Sequence, residues 1–155
     1  MNRLLENIFM SRELYQTILN PVCVKYGITH TEATVLLFLA NNPHCDTARD
    51  IVERRRITKS AVSAATRDLQ ERGLIKGKYT NGNHRSIHLT ICDSAKEIVE
   101  EGNKAQNDFF SVLTEGFTEN EKTEFRRYFE RVTENISEYN RSCSASQKRA
   151  GWQSY

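Results

Sequence analysis

Residues 47–75 read TARDIVERRRITKSAVSAATRDLQERGLI, and the punctuation of this stretch decides the fold. Thr47 precedes Asp50 by three residues, the hydroxyl–carboxylate spacing of a capping box. A short helix should follow, burying Ala48, Ile51 and Val52. The run Arg54-Arg55-Arg56-Ile57 breaks that apolar pattern, and Thr58 is then placed to cap a second helix. This helix carries Val62, Ala65 and Leu69 at spacings of three and four, and Gly73 stands where a C-cap glycine would. Two short helices joined by a tight basic turn form a helix-turn-helix.

Working upstream, Leu4, Leu5, Ile8, Phe9, Tyr15, Ile18, Leu19, Val22 and Cys23 make a helical stripe over about 4–26. Pro21 should kink or end that helix near Asn20. Thr29 to Glu32 is a second capping box, and Val35-Leu36-Leu37-Phe38-Leu39 is apolar on nearly all sides, so the helix it opens is buried. That helix stops at Asn41-Asn42-Pro43.

Downstream of Gly73 the period changes to two. Ile87, Leu89 and Ile91 alternate with Ser86, His88 and Thr90, a strand with one apolar face. Leu74 to Thr80 reads as its partner, and Asn81-Gly82 is a hairpin turn signal. Asp93 or Ser94 should cap a long helix over about 94–115, with Ala95, Ile98, Val99, Gly102, Ala105, Phe109, Val112 and Leu113 along its stripe. Thr118 to Glu121 is a third capping box, opening a helix over about 119–140 that carries Phe125, Tyr128, Phe129, Val132, Ile136 and Tyr139. From Ser142 the chain is polar and unpatterned, which predicts a flexible tail over 142–155 containing Trp152 and Tyr155. The expected fold is mainly α with a small β-hairpin wing, one domain over residues 1–141, its winged helix-turn-helix lobe at about 29–91.

Charge is divided along the chain. The 155 residues hold 22 Lys+Arg and 20 Asp+Glu, a net charge of +2. Yet nine Lys/Arg lie between Arg54 and His88 against two acids, Asp68 and Glu71. From Asp93 to Glu138 twelve acids oppose six bases. A basic centre beside an acidic helical flank is the electrostatic footprint of a nucleic-acid reader. No apolar run reaches about 18 residues, and the N-terminus lacks a secretory apolar stretch, so a cytoplasmic protein is expected. Seven Gly and two Pro leave little room for an all-β fold. Cys23, Cys45, Cys92 and Cys143 form no CxxC pair and match no chelating spacing with the histidines, so neither disulfides nor a metal nor a cofactor is expected. No P-loop, GxGxxG, HExxH or nucleophile elbow is present, which argues against an enzyme.

The order of these elements resembles that of the MarR-type winged-helix regulators of bacteria. Thr47 to Ile75 is similar to their helix-turn-helix. Residues 83–90, Asn-His-Arg-Ser-Ile-His-Leu-Thr, resemble their wing, and Phe117-Thr118-Glu119-Asn120-Glu121 resembles the Leu-Thr-x-x-Glu opening their last helix. The resemblance spans about residues 4–141. Asn83 stands where the family usually has the wing Asp, Ala95 where it often has Gly, and Cys92 where a capping Thr is common.

The resemblance implies a homodimeric regulator of transcription, a ligand-responsive repressor on a pseudo-palindromic double-stranded DNA operator. A recognition helix needs short polar side chains at its N-terminal end, and Thr58, Lys59, Ser60, Ala61, Ser63, Ala64 and Arg67 supply that surface. In the wing, the resemblance carries Arg85 into the minor groove, beside Asn83 and His84, while Lys76 and Lys78 face phosphates or simply protect the hairpin edge. At least one arginine of the run that includes Arg54 and Arg55 should meet phosphate; Glu53 or the acidic helices are alternative partners. Leu4, Leu5, Ile8 and Phe9, with Phe125, Tyr128, Phe129, Val132 and Ile136, are the candidate dimer surface. Tyr15, His30, Phe38 and Phe109 are candidates for a crevice holding a small phenolic or lipophilic effector, although each also reads as core. Alternatives are an oxidant-responsive regulator of the same fold, with Cys92 as its thiol, or a protein-interaction module.

Overall fold

α2 (His30–Asn41) is the hub of the structure, a computed structural model describing residues 3–80 and 83–149, the side chains of 80–85 and 144–149 excepted. Val35 to Leu39 are all buried. A helix apolar on every side has to be covered on every side. α1 (Arg3–Tyr26) supplies Leu19, Val22 and Cys23 to that cover. α3 (Ala48–Arg55) adds Ile51, and α4 (Lys59–Glu71) adds Val62, Ala65 and Leu69. β1 (Ile75–Thr80) and β2 (Asn83–Ile91) form an antiparallel hairpin whose Ile75 and Leu89 close the same core. α5 (Lys96–Leu113) lies so close to α2 that a Cβ on Gly102 would come within 2.7 Å of Leu37 Cδ2. α6 (Glu119–Arg149) completes the order. The chain divides into two compact units, residues 1–112 and 113–155.

The helix starts follow the capping chemistry. Glu32 N–H donates to Thr29 Oγ1 at 3.1 Å while Thr29 N–H donates to the Glu32 carboxylate at 2.6 Å. Thr47 and Asp50 repeat this at 3.2 and 3.0 Å, and Thr118 and Glu121 at 3.3 and 2.7 Å. The end of α4 is equally explicit. Gly73, at φ 66°, donates to Gln70 O and Leu74 donates to Leu69 O, the paired bonds of a left-handed C-cap.

α1 keeps the span its apolar stripe predicts and runs through Pro21 to Tyr26, while two other expectations are corrected. Proline costs a helix about 3 kcal/mol. Val22 and Cys23 go into the core just beyond it, and an apolar side chain contributes about 1.5–3 kcal/mol when buried. Neither Asp93 nor Ser94 is the N-cap after the hairpin. Cys92 occupies that position without a side-chain bond, opening a 3-10 turn over Asp93–Ala95. Ser94 Oγ instead donates to Gly73 O at 2.7 Å, and Asp93 pairs with Lys96 at 2.9 Å. The last helix does not stop at 140 but continues to Arg149, so much of the expected tail is helical. Trp152 and Tyr155 lie outside the described residues.

Candidate nucleic-acid interface

α4 presents two faces because its residues alternate at helical spacing. Val62, Ala65, Thr66 and Leu69 point into the core. Lys59, Ser60, Ser63, Ala64 and Arg67 are exposed on the other side, with Ala61 half-buried between them. Thr66 was not among the expected site residues, and its burial explains why: its hydroxyl donates back to Val62 O and Ser63 O. Thr58 caps the helix, its Oγ1 accepting from Ala61 N–H at 3.3 Å. The first turn carries no acid, so nothing on the helix itself neutralises its positive end. Arg67 lies 3.5 Å from Asp68 and 4.0 Å from Glu71, an exposed arrangement that leaves the guanidinium free to exchange partners.

The hairpin stands beside this helix. Lys76 pairs in register with Thr90, and Lys78 with His88. These four share one face of the hairpin, opposite the face that carries Ile75, Leu89 and Ile91 into the core. Both lysines are exposed. Asn83, His84 and Arg85 have their backbone in β2, but their side chains lie outside the described residues. The structure adds a third edge that the sequence did not announce. Thr47 bridges to His88, Leu89 N–H donates to Asp46 O at 2.7 Å, and His88 Nδ1 lies 2.7 Å from Asp46 Oδ1.

The arginines of the turn are distributed differently from one another. Arg54 and Arg55 belong to the last turn of α3, and Arg56 ends it in the left-handed conformation, φ 54°. Arg54 and Arg56 are exposed. Glu53 pairs with Arg49 at 2.7 Å and not with this run. The Arg55 guanidinium lies 5.2 Å from the centre of the Phe38 ring.

Arg55 also lines a cleft of about 440 Å³ with Ser11, Arg12, Tyr15, Thr34, Leu37, Gln106 and Phe109. Tyr15 and Phe109 meet edge to face with centres 5.3 Å apart, and Gln106 Nε2 donates to Tyr15 Oη at 3.2 Å. Tyr15 and Phe109 were expected here. His30 and Phe38 do not line the cleft: Phe38 is 1% exposed and belongs to the core, and His30 sits half-buried at the first turn of α2. Sequence reasoning missed Arg12 and Gln106, because a polar residue on an amphipathic helix carries no signal that distinguishes a cleft from open solvent.

Two exposed apolar surfaces remain, one in each unit. Leu4, Leu5, Ile8, Phe9 and Met10 are exposed on α1. Tyr128, Phe129, Val132, Ile136 and Tyr139 are exposed on α6. Phe125 is half-buried, stacking on Phe129 at 5.6 Å and meeting Phe117 edge-on at 6.0 Å. All four cysteines are free. Burial pushes the Cys23 thiol up, and Cys92 is half-buried, its N–H donating to Leu74 O. Among the described residues, no group of three or more His, Cys, Asp and Glu could hold a metal ion, and no helix is long and apolar enough to cross a membrane.

Residues 26–86, which hold the helix-turn-helix and most of the hairpin, match the model of the MarR family. The fold is that of the MarR regulators. A putative MarR family transcriptional regulator from Listeria monocytogenes, complexed with 26mer DNA, superposes with a TM-score of 0.80 at 20% identity over 100% of both chains. A MarR transcriptional regulator from Methanosarcina mazei gives 0.77 at 16% identity, covering 90% of this chain and 92% of that one. BpsR of Bordetella bronchiseptica, whose DNA binding is regulated by 6-hydroxynicotinic acid, gives 0.67 at 15% identity over 85% and 99%. No curated protein matches the chain by sequence.

Proposed function

We propose that the chain is a sequence-specific double-stranded DNA-binding regulator of transcription that acts as a homodimer and is controlled by a small effector. It binds and releases DNA and turns over no substrate, and it works in the cytoplasm. The observation that carries this is the pairing of α4's exposed polar face with the lysine-bearing face of the hairpin. Lys59, Ser60, Ser63, Ala64 and Arg67 have the size and chemistry to approach base edges in a major groove. Lys76, Lys78 and the arginines at the end of α3 supply sequence-independent phosphate contacts. Arg85 is assigned to the minor groove by its place in the wing.

The apolar surfaces of α1 and α6 support the homodimer. Phe9 is 68% exposed and Phe129 61%, and clusters of such side chains mark a surface that another chain covers. A two-fold dimer reads a pseudo-palindrome with half-sites about one DNA turn, ~34 Å, apart. The cleft supports the effector. Tyr15 and Phe109 offer an aromatic wall, and Arg12 and Arg55 offer cations, which suits a small aromatic acid. Because Arg55 ends three residues before the cap of α4, such a ligand would be linked to DNA binding reciprocally.

Selection of duplexes from a random-sequence library, followed by sizing of the complex, tests the proposal. The expected result is a pseudo-palindromic consensus bound by two chains. Retention of DNA without any consensus, or a complex of one chain per duplex, contradicts it.

A further inference from the structure

The contact between residues 46–47 and β2 joins the segment before α3 to the hairpin. Asp46 makes two separate bonds to the hairpin. Its carbonyl oxygen accepts from Leu89 N–H at 2.7 Å, and its carboxylate faces His88 Nδ1 at 2.7 Å. Thr47, the next residue, bridges to His88 and caps α3. A carboxylate can only accept, so Nδ1 is the donor of this bond. Both side chains are partly exposed, 38% for His88 and 37% for Asp46.

We propose that Asp46 and His88 are positioning residues that clamp the wing to the helix-turn-helix, setting the wing for its minor-groove contact. The inference rests on the DNA-binding function proposed above. A two-stranded hairpin is weakly determined by itself, and its outer end extends past the last core contact at Leu89. Without the clamp, that end gains freedom that must be lost again on binding DNA. His88 lies three residues along β2 from Arg85, so the clamp acts on the segment that carries the wing arginine.

The test uses the full chain and a duplex selected by the wild-type protein. His88→Ala removes the donor, and His88→Gln keeps an N–H donor. Without DNA, hydrogen exchange at the Leu89 amide should accelerate in His88→Ala and recover in His88→Gln. With DNA, hydroxyl-radical protection at the minor groove should weaken in His88→Ala while methylation protection in the major groove persists. Unchanged Leu89 exchange in His88→Ala overturns the clamp. Faster exchange with an unchanged minor-groove footprint overturns its role in positioning the wing. Failure of the wild-type chain to select any duplex contradicts the proposed function instead, and the Leu89 amide still decides the clamp.

Discussion

Arg72 donates from Nη2 to the carbonyl oxygen of Tyr26 at 2.7 Å, and from Nη1 to that of Gly27 at 2.9 Å. Arg72 is the C-cap of α4, and Tyr26 is the last residue of α1. One guanidinium thus satisfies carbonyls that the end of α1 leaves open, and places a cation at the negative end of that helix dipole. It also fastens α4 to the helix whose far end carries Leu4 to Met10.

Arg72→Ala is therefore expected to destabilise the fold by about 1–3 kcal/mol, as loss of bonds from a charged donor does. Urea unfolding measures this. The salt dependence of DNA binding should stay as in the wild type, because Arg72 is held by backbone and not by phosphate.

Gly102→Ala should cost about 1–3 kcal/mol through overpacking. The added methyl would meet the buried Leu37 at Cδ2, 2.7 Å, and Cδ1, 3.1 Å. A thermal melt compared with that of the nearby exposed substitution Lys104→Ala checks it. Equal melting temperatures for the two variants would show that α2 and α5 are not in such close contact.

Lys76→Ala and Lys78→Ala should weaken binding to every duplex alike. Each should reduce the slope of log affinity against log salt by about 0.9, the value for one phosphate contact. Titrations at several salt concentrations, on the selected duplex and on a scrambled one, measure the slope. A change of sequence preference in either variant would assign these lysines to base readout.

The link between α1 and α5 predicts a pH effect. Lys25 Nζ pairs with the Glu101 carboxylate, and Tyr26 Oη donates to the same oxygen at 2.9 Å. These bonds hold the Glu101 carboxyl below its ordinary value and raise Lys25. A lowered carboxyl pKa stabilises the fold above the unfolded value and loses that contribution as pH falls through the folded one. The stability difference between wild type and Glu101→Gln should thus be present at pH 7 and shrink toward pH 3. A difference that stays constant over this range would remove Glu101's charge from the account.

Elements with dense local chemistry were legible before the structure. Thr29, Thr47 and Thr118 each announced a helix through a carboxylate three residues on, and Gly73 announced the end of α4 through its permitted backbone. The faces of α4 followed from Val62, Ala65 and Leu69 alone. What stayed hidden depends on contacts distant in sequence. Asp46 and His88 are 42 residues apart, and nothing in either neighbourhood marks the pair. Arg55 read as one more cation of a basic turn, because only the fold brings the Phe38 ring beneath it. At Pro21 the local rule offers a kink or an end, and α1 runs on to Tyr26 with Val22 and Cys23 buried beyond it.

The central claim is that the exposed face of α4 reads bases, and Arg67 tests it most directly. Wild-type and Arg67→Ala proteins should be titrated by mobility shift on the selected duplex and on its scrambled counterpart at one salt concentration. The account predicts a loss of about 1–3 kcal/mol on the selected duplex alone, with binding to the scrambled duplex nearly unchanged. If both proteins bind both duplexes with the same affinities, α4 does not read this DNA and the account is contradicted.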